Sequence, residues 1–468
     1  MVRHLGLFVP LLAVAASLIA CGSADSTEGT STGGRVTNIP TSSVIDQGET
    51  GNCWLYATAA WAESLHATAT GDTSVHFSPA YWDYWDWYNQ ILAGATEVEF
   101  GGFWGRAINI VHNYGMAPLG AFANGDDAVA AVAAQQAINQ KLAAGLLSND
   151  SGTIDPAAVR AALDDAFQLS DDKKALLTST FGADGSTTFA NGAAASGFLV
   201  RAQDFQVTAF TATGKTNAML DDLIGTQSDP NWEDERSGTL AWSGALAPAT
   251  PGGSTLGRRV AVLPGQSVQT ANHSQNGSKL QPRDDSAPDA GTDDGSDAGA
   301  AAADDAGPAP LAGPDAVQWQ AYMRRVQHAL NDGAPLPIAW LVVFPDADTT
   351  GHFHKNLPQT TSDQAGWHET LITDYQVTNV PGFGTLQVGV SATDDQKAAS
   401  LQDPSTVTFL RVKNSWGTAP STGWAEPLAG YNDLDVDYLS ETIQLCDTNG
   451  QCAVAAPGVF DIVLPPGY

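Results

Sequence analysis

The chain has 468 residues, 43% hydrophobic and 15% charged, enough for one large domain or two ordinary ones around a sizeable packed core. Against 51 Asp and Glu stand 20 Lys and Arg, a formal net charge of −31, and no cluster of basic residues stands out. That balance excludes a basic groove for nucleic acid and reports chiefly on solubility.

The N-terminus reads as an export signal. Arg3 and His4 precede an apolar run, Leu5 to Ile19, that is too short to span a bilayer comfortably. The run leads through Leu18-Ile19-Ala20 directly into Cys21, followed by Gly22 and Ser23, the pattern of a lipoprotein signal. Residues 1–20 are expected to be removed, Cys21 to carry lipid, and the Ser/Thr/Gly-rich residues 21–37 to form a flexible tether. The protein is thus expected to be exported and anchored through Cys21 to a membrane of bacterial type, on the periplasmic side or the cell surface. No later stretch is long and apolar enough for a transmembrane helix. Of the four cysteines, Cys446 and Cys452 flank the turn-prone Asp-Thr-Asn-Gly-Gln and, outside the cytoplasm, would close a small disulfide. Cys53 remains as the unpaired thiol.

Helical spacing of Leu55, Ala59, Ala62 and Leu65 predicts a helix from Cys53 to about Ala67. A second is expected from Ser78 to Leu92 and a third from Gly105 to Tyr114. The aromatic residues between Tyr81 and Tyr88 repeat at i, i+3, i+4 and i+7, which predicts packing on a core rather than a sugar-stacking platform. Residues 121–271 read as a mainly helical insertion, with helices over Asp126–Leu147 and Asp155–Phe167. Residues 272–316 carry Asp-Ala-Gly triplets opened by Asp289, Asp297 and Asp305 and almost no large apolar side chain. Such a segment cannot offset its ordering entropy, so a disordered acidic loop is expected. A helix over Val317–Asn331 and strands over Pro337–Phe344, His368–Val377 and Thr406–Asn414 make the C-terminal part β-rich.

Three runs carry chemistry. The first is Asp46-Gln47-Gly48-Glu49-Thr50-Gly51-Asn52-Cys53-Trp54. A thiol attacks a carbonyl as thiolate, and its free pKa is about 8.5. A place in the first turn of a helix is expected to lower it. Gly48 and Gly51 let the loop turn tightly, and Gln47 is near enough in sequence for its amide to reach an oxyanion. One such donor is worth roughly 10²–10³ in rate. The second run, Gly366-Trp367-His368-Glu369, places an imidazole at the head of an apolar strand. The third, Arg411-Val412-Lys413-Asn414-Ser415-Trp416-Gly417, ends a strand on an amide whose oxygen could accept the His368 Nδ1–H, with Trp416 shielding that bond from water.

Gln-Gly-x-x-Gly-x-Cys-Trp, a His at the head of an apolar strand and Asn-Ser-Trp-Gly, in that order, resemble the papain family of cysteine peptidases. The resemblance implies that Gln47 is the oxyanion donor, Cys53 the nucleophile, His368 the base and Asn414 its orienting residue. Gly101 and Gly102 match the family's Gly-Gly segment, whose backbone pairs with extended substrate, with Trp54 and Trp416 as neighbouring substrate-binding residues. Glu99 stands where the family usually has a Cys, and Thr50 stands where it has another. The gap from Cys53 to His368 far exceeds the roughly 130–150 residues of the compact papain type. The large insertions, the absence of room for a propeptide and Ser78-Pro79-Ala80-Tyr81-Trp82 look more like the bleomycin hydrolase and aminopeptidase C branch. The resemblance covers residues 38–120 and 317–425.

The fold class so implied is α+β, a papain-like two-lobed fold: a helical lobe over 38–120, a β lobe over 317–468 and a cleft between. The implied activity is hydrolysis of peptide bonds through a Cys-His-Asn triad and a thioacyl intermediate, on a peptide or protein substrate and without cofactor. The alternatives are an acyl-transferring or an inactive, substrate-binding protein of the same fold. His352 and His354 form a His-x-His pair, but no carboxylate or Cys at ligand spacing supports a metal, so a surface loop is expected. Asp374 lies on the His368 strand, at an offset that keeps it on the same face but far along, which leaves Asn414 the better orienter.

Overall fold

A computed structural model describes residues 35–147, 153–224, 316–355, 360–361, 365–418, 428–440, 442–446, 452–465 and 467–468. The expected signal segment with Cys21, most of the tether, residues 226–271 and nearly all of the acidic repeat stretch lie outside the described residues.

The N-terminal part is helical: α1 (Cys53–Thr70), α2 (Pro79–Leu92), α3 (Trp104–Tyr114), α4 (Asp127–Ala143), α5 (Pro156–Ala166), α6 (Asp171–Phe181) and α7 (Leu220–Ile224). After the undescribed stretch come α8 (Ala316–Asn331), α9 (Asp394–Ser400) and α10 (Val436–Ser440). The strands are β1 (Gln206–Thr211), β2 (Gly214–Met219), β3 (Leu336–Val343), β4 (His352–Phe353), β5 (Thr360–Thr361), β6 (Ala365–Val380), β7 (Gly384–Leu386), β8 (Thr406–Lys413), β9 (Tyr431–Asp435), β10 (Thr442–Cys446), β11 (Cys452–Pro457) and β12 (Val459–Ile462).

Local chemistry sets the helix ends. The Ser78 side chain caps α2 by accepting from the Tyr81 N–H, and Pro79 supplies a preset φ at the first helical position. Gly71 ends α1 with φ of 80°, its N–H bonded to the Ala67 carbonyl. Inside α2 the apolar stripe is not a stripe at all: Tyr81, Trp82, Tyr84, Trp85 and Trp87 are all fully buried. Each such side chain contributes about 1.5–3 kcal/mol through burial. Trp85 stacks on Tyr114 at 3.8 Å between centroids and meets Phe181 edge-on. The aromatic run is therefore core, as its spacing implies. The residues of α4, α5 and α6 close over it, with Arg160 of α5 donating to the Tyr84 hydroxyl at 2.6 Å and lying over the Trp85 ring. The helix α6 lies in the stretch read as mainly helical, whereas the antiparallel β1–β2 hairpin there differs from that reading; β1 packs on α1.

The main sheet has seven strands in the order β12-β3-β6-β8-β9-β4, with β7 paired to β6. Its β3–β6, β6–β8 and β8–β9 pairs are antiparallel, and only the short β4 joins β9 in parallel. The sheet curls into a half-barrel, and α1 packs against β6. A helical first part and a mostly antiparallel second part make the class α+β. A separate three-stranded sheet runs β11-β10-β5, and the β10–β11 register sets Cys446 opposite Cys452. No helix among the described residues is long and apolar enough to cross a membrane.

Candidate active site

Strand β6 is longer than the sequence suggests. It starts at Ala365, so His368 lies within it, opposite Trp340 of β3, rather than at its head. Leu371 of β6 faces Lys413 of β8, and this antiparallel register carries Asn414, just past the end of β8, to the imidazole. His368 Nε2 and Asn414 Oδ1 are 2.7 Å apart. Trp416 lies flat on the His368 ring, at 4.5 Å and 20°, while the edge of Trp340 meets it at 6.0 Å. Both His368 and Asn414 are buried.

The orientation of this pair is overdetermined. Gly351 O can only accept, and Asn432 Nδ2 donates to it at 2.8 Å. That turns Asn432 Oδ1 toward Asn414, whose Nδ2 donates to it at 2.7 Å. Asn414 must then present its oxygen to the other side, where it also accepts the Ser415 N–H at 2.7 Å. An oxygen already facing the imidazole requires His368 Nε2 to carry the hydrogen. The neutral ring therefore keeps Nδ1 bare, and Nδ1 is buried without a hydrogen-bond partner among the described residues. This corrects the sequence reading, in which Nδ1 bonds to Asn414: the strand register presents the other nitrogen.

Cys53 opens α1 as expected. Its helix N-cap, Asn52, makes no side-chain cap. Asn52 instead donates to Asp83 at 2.7 Å and accepts from the Thr50 hydroxyl. The Asn52 side chain is thus turned away from the first amides of the helix, and the backbone N–H groups of Glu369 (the neighbour of His368 on β6), Trp54 and Cys53 all act to lower the thiol pKa. The sulfur thus sits at the junction of α1 and β6. The helix-terminus effect expected to lower the thiol pKa does not prevail. Burial pushes Cys53 up to about 12, with the Glu369 N–H opposing and the Glu369 charge reinforcing that rise. Burial likewise pushes His368 down to about 4, against the Asn414 hydrogen bond. The resting pair is a neutral thiol and a neutral imidazole.

Gln47 is stapled to the same region. Its N–H donates to Ser415 O at 2.7 Å, Asp46 bridges to Trp416, and Ser415 Oγ donates to Gln47 Oε1. Its Nε2 donates one hydrogen to Thr50 O at 2.5 Å, which leaves the second amide hydrogen for another acceptor. Trp54 Nε1 donates to Phe100 O at 2.7 Å, and the buried Trp54 ring lies directly beneath Gly102. A Cβ at Gly102 would sit 2.3 Å from that ring, whereas one at Gly101 would meet nothing within 4 Å. Trp54 therefore supports the Gly101–Gly102 backbone from below, and Trp416 covers His368. Gly102→Ala is expected to destabilise the protein by about 1–3 kcal/mol through overpacking, and Gly101→Ala to leave it unchanged, as read in thermal melts of the two variants.

Asp374 is remote from this site. A bulge between Ile372 and Asp374 breaks the alternation of β6, and its carboxylate accepts from Gly389 N at 2.8 Å and Thr37 N at 3.4 Å. The sequence reading missed Asn432, a buried residue of β9. The one available signal is an Asn inside a strand, where that residue type is disfavoured. The His352–His354 pair has two carboxylates the sequence reading did not assign to it: Asp348 and Asp435 both reach the rings.

No family model and no curated protein matches the chain. Among solved structures, PepW from Lactobacillus rhamnosis HN001 aligns over 86% of this chain and 78% of its own, with 12% identity and a TM-score of 0.37.

Proposed function

We propose that the chain is a cysteine peptidase of papain-like, two-lobed organisation, with residues 38–120 and 317–468 as the lobes. The observation that carries the reading is the hydrogen-bond chain from Gly351 through Asn432 and Asn414, which leaves His368 Nδ1 as a bare base beside Glu369, whose N–H acts on the Cys53 thiol. Cys53 Sγ attacks the substrate carbonyl carbon while its proton passes to His368 Nδ1. The oxyanion is held by the Cys53 N–H and the remaining Gln47 amide hydrogen. His368 Nδ1–H then protonates the leaving amine, the C–N bond breaks, and a thioacyl enzyme forms. Water, deprotonated by the same nitrogen, attacks the thioester carbonyl, and the thiol regains its proton as the acid leaves. Extended substrate runs along Gly101 and Gly102. The setting proposed is export with a lipid on Cys21, and a disulfide between Cys446 and Cys452.

The second reading is a peptide-binding protein without turnover. It is favoured by the burial that holds the Cys53 thiol neutral. Incubating the full chain with peptides bearing free and acetylated N-termini, with products read by mass spectrometry, separates the two. Cleavage supports the peptidase, and removal of single residues from the free peptides alone marks an aminopeptidase. Binding without any cleaved product, over pH 4 to 9, establishes the binding protein instead.

A further inference from the structure

We propose that Asp348, His352 and His354 form a divalent-cation site of the zinc type, with Asp435 as the carboxylate that orients both imidazoles. One donor atom from each of Asp348, His352 and His354 lies within 4.8 Å of the others. In a tetrahedral set with metal–ligand bonds of about 2.0–2.2 Å the donor atoms lie roughly 3.3–3.6 Å apart, so the side chains would draw together by up to about 1–1.5 Å to close around an ion.

Local structure holds each member. Asp348 Oδ1 accepts the N–H groups of Thr350 at 2.7 Å and His352 at 3.1 Å and the Thr350 hydroxyl at 2.7 Å, so the turn fixes the carboxylate. Its Oδ2 is hydrogen-bonded to His354 Nε2 at 3.1 Å, the contact an ion would replace. Asp435 takes both rings at once, through Oδ1 to His352 Nε2 at 2.8 Å and Oδ2 to His354 Nδ1 at 2.9 Å. A carboxylate on the far nitrogen of a ligating histidine is the usual outer support of a metal site. The two rings are only 4.1 Å apart between centroids. Two nitrogens with carboxylate oxygens is a donor set suited to zinc and its neighbours rather than to calcium or magnesium. All four side chains are partly exposed, so an ion has a way in.

The site stands independently of the peptidase reading. Its place in the fold nevertheless gives it a consequence: Gly351, which anchors the Asn432 hydrogen bond, belongs to the Asp348–His354 turn. A bound ion would brace that turn.

The test uses the full chain carrying Cys53→Ser, since a thiol binds zinc by itself, titrated with Zn²⁺ alone at pH 7.5 against a chromophoric chelator. One tight equivalent per chain is expected, and it should be lost in His352→Gln/His354→Gln, which removes two of the three ligands. Zn²⁺ should raise the melting temperature of the parent and not of this variant. The two proteins should melt alike in a chelator, which shows that the variant is folded. Non-specific binding by the acidic residues would survive the double substitution unchanged. That result, or the absence of a tight equivalent in the parent, overturns the proposal.

Discussion

Cys53→Ser is expected to lower kcat for peptide hydrolysis by on the order of 10⁴–10⁶, the size of loss seen when the nucleophile of a catalytic triad is removed. The exchange is nearly isosteric at a buried position, so the thermal stability should stay within about 1 kcal/mol of the parent. The fold then remains available for binding, and KM or a measured peptide Kd should change little. The pH profile gives a second check on the same machinery. A base must be unprotonated, and burial holds His368 at about 4 rather than its ordinary 6.5. Lowering the pH from 7 to 5 therefore leaves the base intact, and the acidic limb of kcat/KM falls only as pH approaches about 4. An acidic limb near 6.5 would mean that the imidazole is solvated in the working enzyme. Full activity in Cys53→Ser would assign the hydrolysis to some other group.

Much of the architecture is legible in local sequence because its causes are local. The Ser78-Pro79 start of α2 and the spacing of its aromatic residues are such signals, and α1, α3, α4, α5 and α8 begin and end within a few residues of where periodicity places them. Cys53, His368 and Asn414 stand out in the sequence through the order of three runs that resembles one family, and the structure brings His368 and Asn414 to 2.7 Å. What stayed hidden depends on strand pairing over long sequence separations. The sequence Tyr-Asn-Asp-Leu-Asp of β9 has poor strand propensity, yet it supplies both Asn432 and Asp435. Nothing near His352 and His354 in sequence announces Asp435, which arrives through the parallel β4–β9 pairing. The ring nitrogen that meets Asn414 is set by the β6–β8 register and the bulges within it, which periodicity does not resolve. The thiol differs from its sequence expectation for a related reason. A helix N-terminus is visible in sequence, whereas the burial that outweighs it depends on the sheet packed against α1.

Asn432→Leu is expected to lower kcat by about 10–100-fold, the usual cost of losing an outer hydrogen-bonding partner, while leaving KM nearly unchanged. Asn432 touches no substrate and acts through Asn414. Its removal leaves Asn414 Nδ2 and Gly351 O without partners in a buried region, a cost of about 1–3 kcal/mol for each. Stability loss alone would not show a positioning role, so the tautomer is the decisive readout. In the parent, ¹⁵N shifts of the His368 ring should report a protonated Nε2 and a bare Nδ1. In Asn432→Leu, only the Ser415 N–H still holds the Asn414 amide, and the ring should populate in part the other tautomer, in which Nδ1 carries the hydrogen and cannot accept the thiol proton. Asn432→Asp supplies the contrast. A buried carboxylic acid can donate to Gly351 O with its hydroxyl and accept from Asn414 Nδ2 with its other oxygen. It should restore both the tautomer and most of kcat under mildly acidic conditions, where it is protonated. Retention of the parent tautomer and kcat in Asn432→Leu, with only the melting temperature lowered, would reduce Asn432 to a structural residue.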